Sequence, residues 1–158
     1  MINSGQCEMV SESPNSLKVS YSVLRELAIS CKLTKQDREA LAKHVLEADR
    51  IGSGVYILLA RLLSMKLLYA TVLGDDKALP GFAASGSHVT YRIDDLEPQS
   101  RYLFHKNEFD YGQNGIHVAT LLGATLIGLP PGVHENFLQA DGSFRRIRVM
   151  KVTHPSQI

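Results

Sequence analysis

The chain has no tryptophan and only two cysteines, Cys7 and Cys31. Two thiols cannot build a disulfide framework or a complete thiolate metal site, and two free thiols in a reducing compartment is the plainer reading. Neither sign of charge is in excess: 17 basic residues against 16 acidic ones leave a formal charge of +1. That balance argues against a strongly electrostatic nucleic-acid binder, which carries a basic surplus on one face, and is easier to reconcile with a protein partner. Long uncharged apolar runs are missing as well. The most apolar stretch, "VYILLARLLSMKLLYATVL" from Val55 to Leu73, holds Arg61 and Lys66, and two charges near its middle make a membrane span costly, so a buried helix is expected. The first eighteen residues lack the basic start and apolar run of a signal peptide, so no membrane partner and a cytoplasmic location are expected.

Catalytic and metal-binding patterns are equally scarce. The histidines at 44, 88, 105, 117, 134 and 154 are scattered, with no pair at helical metal spacing beside a glutamate. There is no Gly-x-Ser-x-Gly elbow, and Gly52-Ser53-Gly54 lacks the lysine of a phosphate loop, so it reads as a turn. Cys31 has no activating neighbour in the sequence. No enzyme activity and no cofactor are expected.

The composition is nevertheless that of a folded chain. Of 158 residues, 44% are hydrophobic and 21% charged, enough to bury a core in one domain or two small ones. Met1 to Ser16 is rich in Ser, Asn and Gly and reads as a tail, within an N-terminal extension over 1–32. Inside it, Val23, Leu24, Leu27 and Cys31 fit a helix, though strand spacing fits the segment too. Thr34 is a helix N-cap with Asp37 at capping-box reach. Leu41, Val45 and Leu46 then repeat at helical spacing. Asp49 to Gly54 makes a turn, and a second helix follows from about Val55 to Leu68. A short loop between two helices predicts an antiparallel helical hairpin over 33–73. Glu47 and Asp49 sit near its tip, where two carboxylates either reach a partner's metal or simply solubilise the turn.

Gly74 to Ser87 reads as a linker, and beyond it the periodicity changes. Val89, Tyr91 and Ile93 alternate with polar residues in a strand, "SRYLFH" and "IHVAT" are two more, and "LLGATLIG" is a short helix ended by Pro130-Pro131-Gly132. "HENFLQ", a turn at Asp141-Gly142 and "FRRIRVMKVTH" make a closing hairpin. The whole is α+β: a helical hairpin, then an antiparallel sheet with one short helix over 88–158. On the last strand Arg146 and Arg148 share one face, with Ile147, Val149 and Lys151 on the other. Two readings of those cations stay open, a basic docking face for an acidic protein surface or nucleic acid, or charge that protects an edge strand.

In order and spacing, "HVTYRI", "DYGQNGIHVATLLGATLIGL" and "DGSFRRIRVMKV" resemble the C-terminal domain of the GreA/GreB transcript cleavage factors and of the Rnk-like subfamily. "LTKQDREALAKHVLEA" is similar to the first helix of the abbreviated Rnk coiled coil. The resemblance implies an FKBP-like sheet clasping one helix, and docking on RNA polymerase at the rim of its secondary channel. It further implies contacts by a loop carrying an acid and a Ser-Pro pair. By position these become Asp110, Thr120 and Leu121, with Leu122 beside them; Leu121 and Tyr111 stand where the family has proline. Arg146 and Arg148 are the further partner contacts expected. The hairpin lacks the length and the Asp-x-x-Glu tip of full Gre factors, so stimulated transcript cleavage is not expected, and nucleic acid is met only through the polymerase. FKBP-like folds also include peptidyl-prolyl isomerases, but Phe and Tyr show no clustering here. The second helix is apolar nearly all round, which leaves open pairing with residues 17–32 or with a second copy.

Overall fold

The computed structural model describes residues 14–74, 81–105 and 114–154. The expected contact Asp110, the neighbouring Tyr111, most of the N-terminal tail and the middle of the expected linker lie outside the described residues.

Helix α1 spans Pro14–Ile29, α2 Lys35–Ile51 and α3 Val55–Tyr69. Thr34 caps α2 as its spacing predicts, with its hydroxyl oxygen accepting from Asp37 N at 3.0 Å. The helix runs three residues into the expected turn, to Ile51. Gly52, left-handed at φ 67°, ends it by donating to Ala48 O, so Asp49 and Arg50 belong to the last turn of α2.

Two short strands, β1 Lys32–Leu33 and β2 Thr71–Val72, pair in parallel. They join the residues before α2 to those after α3, so the two helices bring the chain back to where it left. α3 packs against α1 and α2 together, which is why it can be apolar nearly all round. Leu59, Leu62 and Leu63 are buried, as are Leu24, Leu27 and Ala28 of α1 opposite them. The segment read as an extension thus supplies a core helix.

The sheet is mixed rather than antiparallel. Its strands are β3 His88–Ile93, β4 Gln99–Phe104, β5 Gly115–His117, β6 His134–Leu138 and β7 Phe144–Thr153, in the order β5-β4-β3-β7-β6. β4 and β5 run parallel while every other pair is antiparallel. Val89, Tyr91, Leu103, Ile116, Leu138, Ile147 and Val149 form its buried face. Helix α4, Leu121–Leu126, packs on that side against β5, β6 and α3.

α4 stops before the prolines. Its cap is Ile127, and Gly128 follows at φ 91°. Gly128 N donates to Ala83 O at 2.6 Å and its carbonyl accepts from Lys32 N at 3.0 Å. A Cβ there would sit 2.8 Å from Lys32 O. Three distant segments therefore meet at one residue without a side chain. Phe82, Ala83 and Ala84, within the expected linker, are buried at this joint.

Candidate functional site

The corner between β5 and α4 is built by backbone contacts that only small residues permit. Thr120 caps α4: its hydroxyl donates to His117 O at 2.7 Å and accepts from Gly123 N at 3.1 Å. Gly123 lies so close that a Cβ would meet His117 O at 2.1 Å. Thr120 is exposed, while Leu121 and Leu122 are half-buried against the core. These three expected contacts form one surface patch.

Arg146 and Arg148 do not join it. On β7 they alternate with the buried Ile147 and Val149, so they point to the face of the sheet opposite α4. A bulge at Met150 changes the alternation, because Thr90 pairs with Lys151 but Tyr91 with Val149. Lys151 consequently turns outward with the arginines instead of inward with Ile147. Nor is β7 an edge strand, since β6 lies outside it.

At the α2–α3 turn Glu47 is ion-paired with Arg50, which holds its carboxyl below the usual range. Asp49 is exposed, and so are Ile51, Val55, Tyr56 and Ile57. The tip is thus largely apolar, with one of its two acids already engaged.

A polar seam joins α2 to the end of β4, and sequence spacing shows none of it. His105 Nε2 donates to Asp37 Oδ1 at 2.8 Å, and His44 Nε2 lies 3.0 Å from His105 Nδ1. In neutral rings the first bond sets the second, with His44 donating to His105. Asp37 Oδ2 also accepts from Ser85 N at 3.2 Å, which satisfies a buried carboxylate. His117 closes the group, its ring centroid 5.5 Å from that of His44. The participants stand 61 and 68 residues apart in the chain, beyond any local pattern. Among the described residues no group of three such side chains is arranged to hold a metal ion.

Partial burial, then His105 and His117, hold His44 at about 4 rather than 6.5. Its folded value lies below its unfolded one, so the unfolded chain binds more protons between the two. Stability is full above the unfolded value and falls as pH drops from about 6.5 to about 4. After discount for solvent screening the expected loss is about 2 kcal/mol. Urea midpoints at pH 7 and pH 4.5 measure it, and His44→Gln should flatten the slope. An unchanged slope in that variant would assign the acid sensitivity elsewhere.

No helix among the described residues is long and apolar enough to cross a membrane. No family model matches the chain, and no curated protein matches it. Among solved structures, the chain is similar to Gfh1 of Thermus aquaticus (17% identity, TM-score 0.38, 78% of this chain and 98% of that one). It is also similar to GreA factor homolog 1 of Thermus thermophilus (18% identity, TM-score 0.35, with the same shares covered). The prokaryotic transcription elongation factor GreA/GreB from Nitrosomonas europaea superposes with a TM-score of 0.54 at 20% identity, over 79% of this chain and 98% of that one. This α+β chain therefore shares the fold of a GreA/GreB transcription elongation factor over nearly the whole of that protein's length.

Proposed function

We propose that the chain is a non-enzymatic transcription regulator that docks on RNA polymerase near the secondary channel and does not stimulate transcript cleavage. The observation that carries this reading is the fold shared with the Nitrosomonas europaea elongation factor. The sheet with α4 is then the FKBP-like anchor, and α2 with α3 the abbreviated coiled coil of an Rnk-like member. Seventeen residues of α2 span only about 26 Å at helical rise. A short rod with an apolar tip and Glu47 committed to Arg50 is suited to occupying a channel. It is poorly suited to positioning a metal ion there.

The contact surface in this reading is Thr120, Leu121 and Leu122, displayed at the start of α4. Purified chain should pull down core RNA polymerase, and an added Gre factor should compete it away. Leu121→Asp should weaken that binding about tenfold, because a carboxylate in an apolar contact stays desolvated and unpaired. The fold should survive, since Leu121 is only half-buried and an acid at a helix start is electrostatically favourable. Unchanged affinity in a folded Leu121→Asp protein would count against this surface, and no polymerase capture at all against the reading itself.

A further inference from the structure

The outer face of the sheet carries a row of cations that the fold does not require. The register sets Arg92 of β3 opposite Arg148 of β7, and Arg148 opposite His134 of β6. Directly opposed residues in antiparallel pairs hold their Cβ atoms about 4.5–5.5 Å apart, where like charges destabilise a sheet. Arg146, two residues along β7, puts a third guanidinium on the same face. Protection of an edge strand does not account for them, because Arg148 lies on an interior strand and Arg92 on the central one.

Among the described residues no salt bridge involves Arg92, Arg146 or Arg148. Asp94 is nearby, but its two oxygens accept from Arg145 Nε at 2.7 Å and Arg146 N at 3.0 Å. Among the described residues Arg92 spends only Nε, on Leu96 O at 3.0 Å. The three arginines and His134, together with Asp94, Asp95 and Ile147, line a depression of about 210 Å³. Pockets for drug-sized molecules run to about 300–1,000 Å³, so this one suits a compact anionic group.

We infer that this depression binds the phosphate or pyrophosphate group of a small molecule. Guanidinium forks match phosphate oxygens two at a time, and an anion set among Arg92, Arg146 and Arg148 removes the repulsion across the strands. The site lies on the face opposite α4 and stands independently of polymerase docking. A free pyrophosphate and a nucleoside diphosphate offer the same group; with the latter, the remainder of the ligand lies outside over the sheet.

The test is calorimetric titration of the full chain at low salt with inorganic pyrophosphate, and in parallel with inorganic phosphate and with a nucleoside 5′-diphosphate. Pyrophosphate should bind with one site per chain. Arg148→Gln should weaken it about tenfold or more, the worth of a charge-assisted contact. Lys151→Gln, on the same face but outside the depression, should leave it unchanged. Without ligand, Arg148→Gln should be at least as stable as the parent, because a like-charge opposition is gone. Tighter binding of the nucleoside diphosphate would identify the ligand as a nucleotide, and equal affinity an inorganic anion. Either result supports the site. No binding of any of the three to a folded chain overturns it, as does equal binding by Arg148→Gln. A single-stranded oligonucleotide that binds where pyrophosphate does not would overturn it too, and assign the face to nucleic acid.

Discussion

Alanine at Gly123 is expected to lower the thermal midpoint by about 6–12 °C, or to leave the chain unfolded at ordinary temperature. The added Cβ would stand 2.1 Å from His117 O, 2.8 Å from His117 C and 2.8 Å from Val118 Cα. All three are backbone atoms of the strand end that α4 leans on, so no side chain can swing aside. The helix must lift from β5, and Thr120 then loses its two capping bonds to His117 O and Gly123 N. Overpacking costs about 1–3 kcal/mol where side chains can adjust, and more where they cannot. Gly132→Ala is the matched control. Gly132 adopts φ 91° but its Cβ would meet nothing within 4 Å, so only backbone strain of about 1 kcal/mol is added. Equal melting shifts in the two variants would mean that the close approach of α4 to β5 is not what Gly123 serves.

Lys66→Ala should cost about 3–5 kcal/mol, read as a drop in the urea midpoint. Lys66 is fully buried, and its Nζ donates to Thr125 O at 2.8 Å and to Ile127 O. Those carbonyls lie at the end of α4, where the last turn of any helix has no partner of its own. A lysine from α3 thus caps a helix sixty residues away and ties the helical part of the chain to the sheet. Burial lowers the Lys66 pKa against the opposing pull of Cys31 and Glu135. The amine can still make both bonds when neutral, since it keeps two hydrogens. Lys66→Met separates the contributions. It restores the volume but not the donors, so about 2–3 kcal/mol of the loss should remain. A methionine variant as stable as the parent would show that the carbonyls do not depend on Lys66.

Lys66 marks the boundary of what was legible. Its charge, together with that of Arg61, makes a membrane span costly, because the cost depends only on residue type and position in the run. What it bonds to is not written near it. The same division holds elsewhere. Thr34 predicts a cap three residues from its partner, and Asp141-Gly142 predicts a hairpin whose amide donates back at 2.9 Å to Gln139 O. Val89 and Tyr91 predict an inward face by simple alternation. Lys151 breaks that rule because the bulge at Met150 exists only in the pairing of β7 with β3. α1 could not be told from a strand in the sequence. The apolar flank of α3 that it covers settles the matter.

The candidate sites divide in the same way. Thr120, Leu121 and Leu122 could be picked from a linear motif because they are consecutive, and they remain together on the surface. Arg146 and Arg148 could be picked as a basic strand, but not placed on the opposite face from α4. Nor could they be aligned with Arg92 and His134, which belong to other strands. The seam of Asp37, His44 and His105 left no trace at all.

The sequence by itself determined the α+β composition, most element boundaries and the burial of the second helix. Caps, turns and hydrophobic periods act between residues only a few positions apart. The tertiary structure alone decided the parallel β4–β5 pair, the joint at Gly128, the Lys66 cap and the cation row. Each of these is a contact between segments whose nearness comes from packing a common core.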